Sequence, residues 1–394
     1  MSAVKSIVAQ KGIQDKYLSH NPHHTHFKAD YLRHSQFSKM LIKVEPDGYN
    51  YDTFQFGDIY TFEIEKNCDL LKSVLLEITI KDFNNKYIVP QTMYALIDYI
   101  ELEISDKVIE RLSGDWLYVY HLLDATYSSS YTHSDNTNSG DTTSDHTLYL
   151  EIPFWFSLKL ENSLPVSALD HSPIRIRLKL RNRNTINSIH NEIISKIQLI
   201  NTVLDLTDEE KKIFKETHLE YVITQVETIY PPILVKNQSM KKMIELPDTQ
   251  FVTELLWVFR TLDNNSNKFF NFNRLDKTNY QEHTNRISLT MNGKKNLLPT
   301  SYYTKIQRME KYGINEEESG NSTINSEISG NTIYCHSFGV ENNVEPNGFL
   351  SFNKFNTLTL ELDIVGDTNE RQPILFLKNY NIMRFQNGYC ELLF

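Results

Sequence analysis

Four imidazoles fall within one short run, His20-Asn-Pro-His-His-Thr-His, at positions His20, His23, His24 and His26. Neutral imidazole is a common ligand for divalent transition metals, so such a run could in principle hold one. Pro22, however, forbids the helix that would put His20 and His24 on one face. No cysteine or carboxylate stands immediately beside the run to complete a coordination shell. The expectation is an extended arm with exposed histidines and no metal site. A second cluster is cationic: Arg175, Arg177, Lys179, Arg181 and Arg183 alternate with Ile174, Ile176, Leu178 and Leu180. On a strand that alternation puts every basic residue on one face. Such a stripe could touch nucleic acid, but it lacks the interleaved aromatics on which bases stack. Pairing with acidic residues of a neighbouring strand or subunit is expected instead.

Other chemistry is scarce. Cys68, Cys335 and Cys390 are too few and too scattered for a disulfide framework or a zinc site. HExxH, CxxC and Walker patterns are missing, and no two of the 13 glycines lie within two residues of each other. That excludes the dinucleotide fingerprint and the nucleophile elbow. Glu316, Glu317 and Glu318 read as a solvated charge run. Asn237, Asn264 and Asn321 open glycosylation sequons, yet the polar stretch Met1 to Gln14 is no signal peptide, which points to the cytosol. No catalytic, cofactor-binding or metal-ligating residue is assigned, no cofactor is expected, and the chain is not expected to be an enzyme. With 40 basic against 50 acidic residues, the net charge of −10 argues against direct nucleic-acid binding. No apolar run reaches the roughly 18–20 residues of a membrane span.

The elements that would position these residues are strands. Alternation and β-branched or aromatic runs mark Ile59–Ile64, Val74–Ile80, Tyr99–Ile104, Ile174–Leu180, Leu219–Val226, Leu255–Phe259, Thr357–Leu362 and Ile374–Phe376. Tyr149–Phe156 reads as one strand of large side chains with a proline midway, placed at an edge or a bulge. Helical signals are few. Thr207 and Glu210 stand at capping-box spacing at the head of a helix running to Glu216, and Asp115–Leu123 and Ser301–Met309 are shorter candidates. The pattern predicts an all-β protein of sandwich type. It also repeats. Thr25-His26 matches Thr217-His218, Val74–Ile78 matches Leu255–Phe259, Ile100–Ile104 matches Ile287–Met291, and Leu148-Tyr149 matches Ile333-Tyr334. These pairs share one order and one offset of about 185 residues, which predicts two copies of one β module. Two polar tracts, Tyr127–His146 and Gly313–Asn331, follow the same helix–strand junction in each copy and should emerge on one face.

Longer stretches carry a resemblance. They are Lys11-Gly-Ile-Gln-Asp-Lys-Tyr-Leu-Ser-His-Asn-Pro, Tyr31-Leu-Arg-His-Ser-Gln-Phe, Ile152-Pro-Phe-Trp-Phe, Leu164-Pro-Val-Ser-Ala-Leu, Leu206-Thr-Asp-Glu-Glu, Glu254-Leu-Leu-Trp-Val, Ser351-Phe-Asn-Lys-Phe-Asn and Asn379-Tyr-Asn-Ile-Met-Arg-Phe-Gln-Asn-Gly. In order and spacing they resemble the major capsid proteins of nucleocytoplasmic large DNA viruses, from about Gly12 to the C-terminus. The sequence departs from that pattern at His23, His24 and His26, and at Lys159-Leu-Glu-Asn-Ser, where the family has a glycine-rich stretch. The resemblance implies two tandem eight-stranded jelly rolls. The expected parts are an arm (1–26), a first jelly roll (27–205), a linker helix (206–216) and a second jelly roll (217–394). It further implies homotrimers that form pseudo-hexagonal capsomers and tile an icosahedral virion shell. Neighbouring capsomers, minor capsid and penton proteins would be the partners, near an internal membrane, with assembly in the host cytoplasm. A minor capsid paralogue or assembly scaffold of the same fold is the alternative, and a carbohydrate-binding jelly-roll protein is a more distant one.

Overall fold

The computed structural model describes residues 12–14, 16–23, 25–28, 33–48, 54–81, 92–123, 146–182, 193–262, 269–273, 283–312, 332–340 and 346–394. The two polar tracts lie outside these residues except for His146, as do His24, Arg183, Asn264 and Asn321. The chain divides into two compact units, Met1–Gln36 and Phe37–Phe394. In the first, one helical turn spans Lys16–Ser19, and His20, His23 and His26 are exposed.

The second unit consists of four antiparallel sheets. One carries β1 (Phe37–Val44), β9 (Ile193–Leu206), β3 (Leu70–Lys81) and β6 (His146–Ile152) in that order, with β7 (Leu164–Pro165) paired to the start of β3. The next carries β2 (Ile59–Glu63), β8 (Ile174–Leu180), β4 (Ile97–Ile104) and β5 (Lys107–Ser113). The third has β10 (Leu219–Ile229), β17 (Arg371–Gln386), β12 (Val252–Thr261) and β15 (Tyr334–Ser337), with β18 (Tyr389–Leu392) on β17. The last has β11 (Met240–Glu245), β16 (Leu358–Ile364), β13 (Thr284–Met291) and β14 (Lys294–Leu298). The strand order of the second pair of sheets reproduces that of the first. Each pair is an eight-stranded jelly roll with small additions.

Register makes the duplication concrete. The pairing of β3 with β9 slips between Leu71 and Ser73, and that of β12 with β17 slips between Val252 and Glu254. Beyond the slip, Val74 lies opposite Asn201 and Leu255 opposite Leu377. In the other sheets, β4 slips against β8 between Ile97 and Tyr99, and β13 slips against β16 between Thr284 and Arg286. A bulge adds one residue and bends the strand, and it is a built feature of a fold. Two bulges at matching positions in both halves identify Val74 with Leu255 and Ile100 with Ile287, as the sequence comparison has them. The match of Leu148 to Ile333 is off by one residue. Leu150 opposite Leu76 and Tyr334 opposite Trp257 hold the equivalent places. Thr25-His26 has no counterpart at all, since Thr217-His218 adjoins β10 directly whereas Thr25 lies well before β1.

One expected strand is two elements. β6 stops at Ile152, and Trp155–Leu158 forms a helical turn. Pro153 has no N–H for the ladder, so pairing with β3 ends there. The aromatic residues still go where their size demands, with Phe154, Trp155 and Phe156 all buried. The capped helix is found at Asp208–Glu216, where the Glu210 N–H donates to Thr207 Oγ1 at 3.5 Å and three carboxylates load the first turn. Asp69 anchors this connection, accepting from the Leu206 N–H at 2.9 Å and from Lys211 Nζ at 2.6 Å.

Candidate functional site

β12 reads Val-Thr-Glu-Leu-Leu-Trp-Val-Phe-Arg-Thr, and all but Arg260 of its ten residues are buried. A strand with water on one face would alternate, so this one is covered on both. Leu255, Trp257 and Phe259 point into the core of the second jelly roll, where Trp257 stacks on Tyr334 with centroids 5.3 Å apart. Leu256 and Val258 point the other way, together with Ile374, Phe376 and Met383. They belong to the same continuous core as the first jelly roll. Trp116 packs on Phe376 at 5.2 Å, and Tyr118 stacks on Phe270 at 4.4 Å. The seam between the jelly rolls is therefore an interior, and burial of each large side chain there is worth about 1.5–3 kcal/mol.

A buried ionic clasp sits at one end of this interior. The helix Gly114–Leu123 begins against the backbone of Tyr94 and Ile97. A Cβ on Gly114 would lie 2.2 Å from the Ile97 carbonyl oxygen, so only glycine permits the approach. The next residue, Asp115, is 1% exposed. Its Oδ2 accepts from Arg181 Nη2 at 2.9 Å, and its Oδ1 accepts from Arg260 Nη1 at 2.7 Å. Arg181 follows β8 of the first jelly roll, and Arg260 lies in β12 of the second. Both guanidinium groups lie over the Phe269 ring, at 4.9 and 4.7 Å from its centroid. Burial alone would push the Asp115 carboxyl up, but the two guanidinium charges outweigh it and hold the group below the ordinary carboxylate range.

At the other end of β12, Glu254 is fully buried. Tyr312 Oη reaches both its oxygens at 2.7 Å, and Cys335 Sγ donates to Oε1 at 2.9 Å. Burial drives the Tyr312 and Cys335 groups well above their ordinary ranges, so both remain protonated donors. Burial also raises Cys68 to about 11 and Cys390 to about 12, which leaves no thiolate nucleophile among the three cysteines at neutral pH.

Beside the clasp, the seam opens into a cleft of about 610 Å³ between β5 and β10. Gln225 Nε2 bridges it by donating to the Ile109 carbonyl oxygen at 2.5 Å. Glu110 lines the cleft from β5 and is itself 5% exposed. Burial raises its carboxyl to about 8, against the opposing pull of the Trp155 backbone N–H, which donates to Oε2 at 3.1 Å. The group is held neutral at pH 7, inside a joint.

The described residues of the basic stripe, Arg175 to Arg181, find carboxylate partners within the chain. Arg175 pairs with Glu103 at 3.2 Å and with Asp106 at 2.7 Å. Arg177 reaches Glu103 at 2.8 Å, Lys179 reaches Asp98 at 3.2 Å, and Arg181 serves Asp115. Glu103 and Asp98 lie on the neighbouring strand β4, Asp106 in the turn after it and Asp115 at the start of the helix Gly114–Leu123. Among the described residues no group of three or more His, Cys, Asp or Glu side chains could hold a metal ion. No described helix is long and apolar enough to cross a membrane. Sequence reading missed Asp115, Glu110, Arg260 and Glu254 as structural keys. The available signal was a strand-length apolar run carrying Glu254 and Arg260 near its ends, both on the face that packs against the first jelly roll.

A family model described as the major capsid protein N-terminus matches residues 25–223, just over half the chain, from before β1 into β10. The chain belongs to the major capsid protein family of large DNA viruses. The major capsid protein of Pyramimonas orientalis virus is 24% identical over 97% of both chains. That of Phaeocystis pouchetii virus is 25% identical over 63% of this chain and 56% of its own length. Among solved structures, the PBCV-1 virus capsid model aligns with a TM-score of 0.76 at 18% identity, over 94% of this chain and 100% of its own. The Faustovirus major capsid protein aligns at 0.67 with 8% identity, over 94% of both chains. At such identities the structural matches speak for the double jelly-roll fold, which the family shares with this chain.

Two outcomes follow from the seam. Asp115→Asn should lower unfolding stability by about 3–5 kcal/mol, because Arg181 and Arg260 lose their counter-charge in an interior; denaturant titration reads this directly. Glu110→Gln should change the pH dependence. A carboxyl raised to about 8 in the fold, from 4.5 ordinarily, is fully compatible with folding only below about pH 4.5 and costs progressively more up to about pH 8. The Gln variant should therefore gain on the wild type by roughly 1.4 kcal/mol per pH unit across that window and level off above it. Parallel stability curves for the two proteins from pH 5 to 8 would refute the assignment.

Proposed function

We propose that this chain is the principal shell subunit of an icosahedral virion, with three copies forming a pseudo-hexagonal capsomer. The observation that carries the reading is the duplicated jelly roll fused through a buried seam. Two similar bodies held in one fixed relation let three chains present six similar corners, which hexagonal tiling requires. We divide the chain into an arm (1–26), a first jelly roll (27–205), a linker helix (206–216) and a second jelly roll (217–394). The arm ties neighbouring capsomers or minor proteins together on the inner side of the shell, near an internal membrane.

Neighbouring capsomers, minor capsid proteins and penton proteins are the partners, and assembly takes place in the host cytoplasm. The role is structural, and no reaction is assigned to any residue. Contacts between capsomers in such a shell are numerous and individually weak, which lets errors in packing anneal.

Size-exclusion chromatography with light scattering tests this. The expected mass is three times 46.2 kDa, and a chain lacking residues 1–26 should still run as a trimer of correspondingly lower mass yet fail to build shells. A monomer at every concentration contradicts the reading.

A further inference from the structure

The cleft at the seam has walls from both halves of the chain, β5 of the first jelly roll and β10 of the second. Its volume of about 610 Å³ is that of a small-ligand site. Each wall carries a carboxyl group that the fold leaves half-used. On β5, Glu110 is 5% exposed, and its Oε2 accepts from the Trp155 backbone N–H at 3.1 Å. That is its one hydrogen bond among the described residues, so Oε1 is left to the cleft. On β10, Glu227 Oε2 accepts from Thr249 Oγ1 at 2.9 Å, and its other oxygen likewise has no hydrogen bond among the described residues. Polar groups on a side chain as buried as Glu110 are normally satisfied, so Oε1 points to a donor that the chain does not itself supply.

The rest of the lining defines that donor. Asp98 adds a third carboxyl group. Arg111 is the one Lys or Arg side chain among the described lining residues, and it is already engaged. Glu101 accepts from its Nε at 2.7 Å and lies 2.6 Å from its Nη2, and the guanidinium sits 4.6 Å over the Tyr99 ring. A cationic ligand therefore matches the cleft. No three His, Cys, Asp or Glu side chains among the described residues converge as a metal ion requires, so the charge is better spread along a chain. Val108, Ile109 and Val226 on the same walls offer apolar contact to methylene groups.

We propose that this cleft binds an aliphatic diamine or polyamine, with one ammonium group on Glu110 of the first jelly roll and another on Glu227 of the second. The ligand then ties the two jelly rolls together across the seam and stabilises the folded chain according to its occupancy. The site lies within one chain and does not depend on the trimer reading.

Binding has a definite pH dependence. The ammonium group pairs with ionised Glu110, whereas burial keeps that carboxyl neutral up to about pH 8 in the empty cleft. Binding at pH 7 therefore releases about one proton, and affinity rises about tenfold per pH unit before levelling off above about pH 8. Arg111 stays charged throughout, and Tyr230, pushed up to about 12 by burial, stays protonated. Asp98, Tyr99 and Glu227 are the other titratable groups on the lining. The turn Trp155–Leu158 carries none, and Leu102 is the residue opposite Glu110 on β4.

Isothermal titration calorimetry of the intact chain with putrescine, in two buffers of different ionisation enthalpy, tests the site. The expected result at pH 7 is one saturable site per chain with about one proton released per putrescine. Butylamine, with a single ammonium group, should bind about tenfold or more weakly. Glu110→Gln keeps an acceptor for the Trp155 N–H; it should bind putrescine about tenfold or more weakly and release no proton. Glu227→Gln should also weaken binding yet still release the proton. Heat that fails to saturate at millimolar putrescine, that Glu110→Gln leaves unchanged, or that magnesium chloride abolishes at matched ionic strength would overturn the proposal.

Discussion

Covering β12 and β17 on both faces is the constraint from which the rest of this structure follows. A single jelly roll buries one face of each sheet and leaves the other for water. Here the outer face of one sheet is apolar, and the first jelly roll covers it, so the two halves share a core across the seam. Two carboxyl groups admitted to that interior have named partners. Asp115 stands between Arg181 and Arg260, and Glu254 receives Tyr312 and Cys335. A buried ion pair adds little to net stability compared with an apolar equivalent, but losing one partner is costly. Its value here is positional, because Asp115 holds Arg181 of the first jelly roll and Arg260 of the second at once.

Duplication followed by divergence explains why the halves look alike in backbone and unlike in surface. Strand order and both bulges are retained, since each bulge sets the bend of a whole sheet. The outward faces have changed. On β8 the outward residues are Arg175, Arg177 and Lys179, balanced by Glu101, Glu103 and Asp98 on β4. On β16 the equivalent places hold Thr359, Glu361 and Asp363, with Lys295 on β14 pairing to Glu361. Each sheet neutralises itself, by opposite arrangements of sign. That is consistent with a coat whose acidic total charge reflects solubility more than recognition.

Much of the fold was legible because its signals are local. Alternation in Ile174–Leu180, the cap at Thr207 and the order of the repeated runs all act over a few residues or depend only on their sequence order. The seam was harder to read. Asp115 looked like an ordinary first-turn acid, and nothing in its neighbourhood announces Arg260, which is 145 residues away. The stripe at Arg175–Arg181 was correctly read as one face, but its partners on β4 became visible only with the register. Tyr149–Phe156 failed as a single strand because Pro153 stops the ladder while the aromatics continue into the core. The internal repeat supplied the number of modules and the resemblance the family; the seam itself came from side-chain geometry.

Calorimetric unfolding of the intact chain tests the fused core most directly. A core that runs through the seam predicts one cooperative transition, with calorimetric and van't Hoff enthalpies in agreement for the whole Phe37–Phe394 unit. Two separated transitions, each with about half the enthalpy, would show that the jelly rolls unfold independently and would contradict the account.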